Sequence, residues 1–144
     1  NFHIAIKFFG DLSDEQIKTV NQTVTLIVRD FKHFEVAVKD SLVFPNLNFP
    51  KVLALKVISP ELTGLAEKII AKVDALPDIQ PENRKYTPHI TLGRIKDNLT
   101  ALEKEKIASL KFEDQFVVSA IQLFESQLTT DGPIYSVIKN FKLK

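Results

Sequence analysis

Asn1-Phe2-His3-Ile4-Ala5-Ile6 and Pro88-His89-Ile90-Thr91-Leu92 decide how this chain reads. Each is a strand-like apolar run with a histidine on one face and a small residue two positions later on the same face. Alternation puts His3, Ala5 and Lys7 on one side, with Phe2, Ile4, Ile6 and Phe8 on the other. It puts His89, Thr91 and Gly93 on one side, with Ile90 and Leu92 opposite. In both runs the aliphatic side serves a core and the histidine side is left for a cleft. One strand histidine is ordinarily a surface or hydrogen-bonded structural residue. This chain has only three histidines and sets two of them in matched contexts. That points to a duplicated half-site in which two imidazoles share acid–base chemistry.

Outward from these runs the chain reads as alternating strands and helices. Residues 2–8 are predicted as a strand. Ser13 and Gln16 form a capping box that opens a helix, with Ile17, Val20, Val24 and Ile27 at helical spacing. Phe34 to Val38 alternates as a half-buried strand, Phe44-Pro45-Asn46 to Pro50 is loop, and Val52 to Val57 is an apolar strand. Ser59-Pro60 opens the clearest helix, whose buried stripe is Leu62, Leu65, Ala66, Ile69, Ile70 and Val73. A polar loop from Pro77 to Tyr86 leads into a strand from His89 to Ile95. Thr100 and Glu103 make a second capping box, and Phe116 to Phe124 and Ile134 to Phe141 read as strands. Thr130-Asp131-Gly132-Pro133 marks a hairpin turn between those two. Each histidine strand is thus followed by a helix and two strands, as in a duplication. A strand and a helix also precede the second histidine strand. By symmetry, a strand and a helix are expected before Asn1 and are missing here.

Composition narrows the function classes. The 144 residues suit one domain with a real core, and 44% hydrophobic with 26% charged residues is ordinary for a globular protein. A net charge of +1 gives no bulk signature of duplex nucleic-acid binding, and the absence of cysteine excludes disulfides and zinc–thiolate sites. No apolar run approaches the roughly 20 residues a membrane span needs, so no membrane partner is expected. A cytoplasmic monomer is the default. No carboxylate or third histidine has ligand spacing with His3 or His89, so no metal and no cofactor are expected; His33 reads as surface.

Two facing imidazoles suit a reaction that needs both proton removal and proton donation near neutral pH. Thr91 offers a hydroxyl to an oxyanion from the His89 face. Arg94 offers a fork suited to phosphate, although strict alternation points it away from His89, so a bulge or strand end is needed there. Lys7, on the His3 face, would also favour an anion. Arg84, Lys85 and Tyr86 could pair with and stack on a nucleotide, or be a plain polar loop.

The paired H-x-[ST]-aliphatic motifs resemble the two-histidine phosphoesterase superfamily, and more closely its RNA 2′,3′-cyclic phosphodiesterase branch, the 2′-5′ RNA ligases. The resemblance rests on His3-Ile4-Ala5-Ile6-Lys7-Phe8-Phe9-Gly10 and Pro88-His89-Ile90-Thr91-Leu92-Gly93-Arg94. Phe44-Pro45-Asn46, Glu125-Ser126 and Gly132-Pro133-Ile134-Tyr135 follow as further landmarks in the family's order. The resemblance implies an α+β fold of two pseudo-symmetric antiparallel-sheet lobes around a central cleft, helices outside, as a single domain over residues 1–144. It implies metal-independent hydrolysis of the 2′,3′-cyclic phosphate end of an RNA or oligonucleotide to a 2′-phosphate, with 2′-5′ RNA ligation as a side activity. His3 and His89 would be the catalytic pair, with either one as acid or base, and Thr91 and Arg94 would bind the phosphate. The chain departs from the family by lacking the N-terminal strand and helix and by carrying Ala5 where the family has Thr or Ser. The two departures together keep open a non-catalytic nucleotide or RNA-end binding module.

Overall fold

The computed structural model describes residues 2–144. Nine elements follow in order: α1 (Asp14–Val28), β1 (Phe34–Phe44), β2 (Val52–Ile58), α2 (Pro60–Asp74), β3 (His89–Arg94), α3 (Ala101–Ala108), β4 (Glu113–Val118), β5 (Ala120–Thr129) and β6 (Gly132–Lys142). They form an α+β fold with two antiparallel sheets. The first has the order β3-β2-β1-β4, and the second is the β5-β6 hairpin.

The helices start where the sequence signals them. Ser13 Oγ accepts the Gln16 N–H while the Gln16 side chain accepts the Ser13 N–H, and Thr100 and Glu103 repeat that exchange. Ser59 caps α2 with Pro60 at its first position. Each cap contributes about 0.5–2 kcal/mol. Val20, Val24, Ile27 and Val28 of α1 and Leu62, Leu65, Ile69 and Val73 of α2 are buried in one core with Val36, Val38, Val57, Phe141 and Leu143. Helix α2 packs on β1 and α1 on β6, so each sheet carries a helix on one face and turns its other face away from the core. Leu65 is fully buried, and truncating such a residue to Ala costs about 2–5 kcal/mol. Helix α3 buries nothing; its Ile107 carbonyl accepts from Ser41 Oγ on β1.

Three expectations change. Residues 2–8 are not a strand, because they make a single antiparallel bridge, Ile4 to Ile90, before the backbone bends at Ile6. The run from Phe116 to Phe124 is two strands. Its first part, β4, pairs with β1 in the first sheet, and β5 begins after Ser119 in the second. Ser119 is held at the crossing, its carbonyl accepting the Leu143 N–H at 2.9 Å. The apolar run continues through the break because both parts use it, so local sequence does not mark the change of sheet. The lobes are therefore unequal, with four strands against two. The hairpin turn is as read. Thr130 and Asp131 form it, and Gly132 follows at φ +113°, a conformation that favours glycine.

Candidate functional site

The two histidine motifs cross at the Ile4–Ile90 bridge. In an antiparallel pair, neighbours of a bridge lie opposite one another on the other face. His3 therefore lies across from Thr91, and Ala5 lies across from His89. Ile4 and Ile90 pack against the core, so the His3–Thr91 and His89–Ala5 pairs lie on the other face, the side expected to line the cleft. The two histidines are diagonal neighbours across the bridge, a relation that sets backbones about 7–8 Å apart in an antiparallel pair.

Bulges decide which other side chains join them. Along β2, Lys56 pairs with His89 and Ala54 with Thr91, but Leu53 pairs with Gly93 and Val52 with Arg94. Leu92 is the extra residue. Because Val52, Ala54 and Lys56 alternate on one face of β2, their partners Arg94, Thr91 and His89 share that face. The bulge thus turns Arg94 to the histidine side, replacing Gly93, and leaves Leu92 exposed rather than in the core.

A second bulge interrupts β1 between Val38 and Ser41. Asp40 sits in it at φ +60°, its N–H donating to the Phe112 carbonyl and its carboxylate accepting the Phe112 N–H. Without the extra residue, Phe44 would share the core face of Val36 and Val38. With it, Phe44 lies opposite Val52 on the cleft face, and its ring stands 4.7 Å from that of His89. The third bulge, at Ile138 of β6, brings Tyr135 to the face of Phe124, with the rings 5.8 Å apart. Edge-on, His3 meets Phe124 at 6.3 Å and Tyr135 at 5.7 Å. Each histidine is thus walled by aromatics, His89 from the first sheet and His3 from the second.

Hydrogen bonds orient the pair. His89 Nδ1 lies 2.7 Å from the Thr87 carbonyl. A carbonyl only accepts, so Nδ1 carries the proton and Nε2 of the neutral ring is the proton acceptor. The His3 segment is tied from behind by Tyr86, whose hydroxyl donates to the Ala5 carbonyl at 3.1 Å. Burial pushes the Tyr86 phenol up to about 12. Its ring is half-buried and its hydroxyl engaged, so Tyr86 is a brace and not a free stacking surface. Arg84 lies outside this face on an exposed contact with Glu82.

Lys7 does not reach for an anion. Past the bend at Ile6 its ammonium turns inward, 2.9 Å from the Asp74 carboxylate and 2.8 Å from the Gln80 carbonyl, with the side chain only 3% exposed. For Asp74, burial works to raise the carboxyl, but the Lys7 hydrogen bond, the Glu82 N–H and the Lys7 charge outweigh it and hold it below the usual range.

The site is an open face. The hollow along α1, lined by Ile17, Asn21, Thr25 and Lys139, contains neither histidine. Among the described residues no group of three or more His, Cys, Asp or Glu side chains could hold a metal ion, and no helix is long and apolar enough to cross a membrane. Of the residues singled out in the sequence, His3, His89, Thr91 and Arg94 come together and Lys7 does not. The aromatics Phe44, Phe124 and Tyr135 lie within or beside the family landmarks, but local alternation gave no sign that they touch the histidines.

Comparison with known proteins bears on the family and the fold. Residues 2–130 match the model of the 2′-5′ RNA ligase superfamily. The chain is 32% identical to the RNA 2′,3′-cyclic phosphodiesterase of Methanothermobacter thermautotrophicus, over 99% of this chain and 79% of that protein. It is 35% identical to the protein of that name from Aquifex aeolicus, over 99% of this chain and 78% of that protein. Its fold superposes on the crystal structure of the Thermus thermophilus protein TT0787 with a TM-score of 0.86 and 25% identity, covering 99% of this chain and 78% of that one. Two crossed histidine motifs, an unequal pair of antiparallel sheets and similarity along nearly the whole chain have one common source: the chain belongs to the 2′-5′ RNA ligase superfamily.

Proposed function

We propose that this protein hydrolyses the 2′,3′-cyclic phosphate at an RNA 3′ end to a 2′-phosphate, without a metal ion. The observation that carries the reading is the crossing of the two motifs at Ile4–Ile90, which sets His3 and His89 diagonally on one face. Relatives 32% and 35% identical over nearly the whole chain bear the name of this activity.

His89 Nε2, its ring held through Nδ1 by the Thr87 carbonyl, takes a proton from water as the water oxygen attacks phosphorus. The bond from phosphorus to the ribose 3′ oxygen breaks on the opposite side. His3, as imidazolium, gives that oxygen its proton. The products are a 2′-phosphomonoester and a free 3′ hydroxyl. In-line displacement keeps attacking and leaving oxygens on opposite sides of phosphorus, which a diagonal pair of imidazoles can serve. Thr91, beside His3, and Arg94, two rungs along, hold the non-bridging oxygens. Phe44, Phe124 and Tyr135 supply faces for the terminal base.

The test is an oligonucleotide ending in a 2′,3′-cyclic phosphate, incubated with the protein and a metal chelator. Opening to a 2′-phosphate is the expected result, and a 3′-phosphate product would mean that the bond to the 2′ oxygen breaks instead, refuting the assigned product. The alternative, a binding module, is favoured by one feature: Ala5 leaves the position beside His89 without a hydroxyl. Tight binding with no turnover would select it.

A further inference from the structure

Lys7, the cation that alternation assigns to the cleft, is spent on Asp74, but another lysine stands beside His89 on the side away from the His3 segment. Lys56 pairs directly with His89 across β2 and β3. Its neighbours Leu55 and Val57 pack in the core, so Lys56 shares the open face with His89. It is exposed and, among the described residues, makes no ion pair. One strand further on, Lys39 lies at the β1 bulge opposite Lys56, on the face away from the buried Val38. Lys39 is exposed and pairs in register with Glu113 of β4, the acidic group next along that row. His89, Lys56 and Lys39 therefore run across three adjacent strands, spaced about 5 Å per step. Arg94 lies in another direction, along β3, four rungs from His89 with Thr91 between. The reacting phosphate, held by the histidines, Thr91 and Arg94, leaves Lys56 and Lys39 unused.

We infer that Lys56, continued by Lys39, binds the phosphodiester that precedes the terminal nucleotide, so that the preferred substrate is an oligoribonucleotide chain and not a cyclic mononucleotide. This inference rests on the proposed hydrolysis. The spacing is its physical basis. The proposed reacting phosphate lies between the histidines, on the His3 side of His89, and Lys56 stands on the other side, so a chain leaving the site over β2 brings its next phosphate to Lys56. An exposed lysine acts there as a point charge, so its contribution is sequence-independent and weakened by salt.

The experiment compares wild type with Lys56→Ala and Lys39→Ala on two substrates, a nucleoside 2′,3′-cyclic phosphate and a short RNA with the same end. Lys56→Ala raises KM for the RNA about fivefold more than KM for the mononucleotide, the effect of losing one solvent-exposed charge pair. It also lowers the slope of log KM for the RNA against log salt by about 0.7, the value for one phosphate on a single strand. Lys39→Ala moves both readouts the same way by less. Thermal unfolding of each variant controls for folding. If wild type opens both substrates and the variants leave the KM ratio and the salt slope unchanged, the inference is overturned while the hydrolysis stands. If wild type opens neither substrate, the hydrolysis falls and the inference with it.

Discussion

The Pro88–Arg94 half of the site and the Phe2–Gly10 half meet at one bridge, yet they are held by different forces. The His89 half is strand β3, paired along its length with β2 and shaped by a bulge that delivers Arg94. The His3 half has one bridge to that ladder. It is tied by side chains instead: Ile4 and Ile6 in the core, the Tyr86 hydroxyl on the Ala5 carbonyl, and Lys7 on Asp74. The lesson is that matched sequence motifs need not rest on equivalent backbone support. The ladder fixes His89 through many weak bonds that no single substitution removes. The His3 segment depends on a few contacts, so its geometry is exposed to point mutation.

The largest expected effect tests whether the two halves are chemical equals. His3→Ala and His89→Ala should each lower kcat for cyclic-phosphate opening by about 10²–10⁴-fold, the usual contribution of a positioned acid or base. Single-turnover kinetics on folded variants measures this, and full activity in either variant would break the pairing.

Next comes the support of the His3 half. Lys7→Met strands the Asp74 carboxylate, which still accepts the Glu82 N–H and is 16% exposed. The expected loss is about 2–3 kcal/mol in urea unfolding, below the 3–5 typical of a fully buried broken pair. The pH dependence has a definite sign. Asp74 has its folded-state pKa lowered, so its contribution is present above the unfolded carboxylate pKa of about 3.9 and is lost as pH falls through the lower folded value. Asp74→Asn should flatten that acid limb.

The hydroxyl asymmetry comes third. Thr91→Val should lower kcat/KM by about 10–100-fold through one lost bond to a charged oxygen. Ala5→Thr should move the other way, restoring a hydroxyl beside His89. A loss of activity in Ala5→Thr would mean that the halves are asymmetric by requirement.

The smallest effect concerns Tyr86→Phe, which removes one hydrogen bond and should destabilise by about 0.5–1.5 kcal/mol. Its phenol is raised to about 12. The wild type should therefore lose stability as pH rises from about 10, the unfolded value, through about 12. That alkaline loss should shrink in Tyr86→Phe, measured by unfolding across the range. An unchanged alkaline limb would show that Tyr86 does not brace the His3 segment.

Much of the molecule is legible in the chain itself. The capping boxes at Ser13 and Thr100, the buried stripe of α2, the Thr130–Asp131 turn and the two histidine motifs are local signals, written in residue types a few positions apart. The need for a bulge before Arg94 is also visible, because period-two alternation points that side chain the wrong way. The bulge at Asp40 is not, so Phe44 can be placed in a loop but not against His89. Nor is the break at Ser119, because an apolar run reads alike whether its two parts pair in one sheet or in two.

The sequence by itself determined where the helices begin, where the hairpin turns and most of the strands, since those follow from propensity, capping and short-range periodicity. Tertiary structure alone decided which face Phe44 and Tyr135 occupy, that Lys7 serves Asp74, and that His3 lies across from Thr91. The physical reason is that side-chain parity along a strand is set by its register with a partner strand. One extra residue in the ladder reverses every side chain beyond it, and that residue is chosen by pairing between segments far apart in the chain.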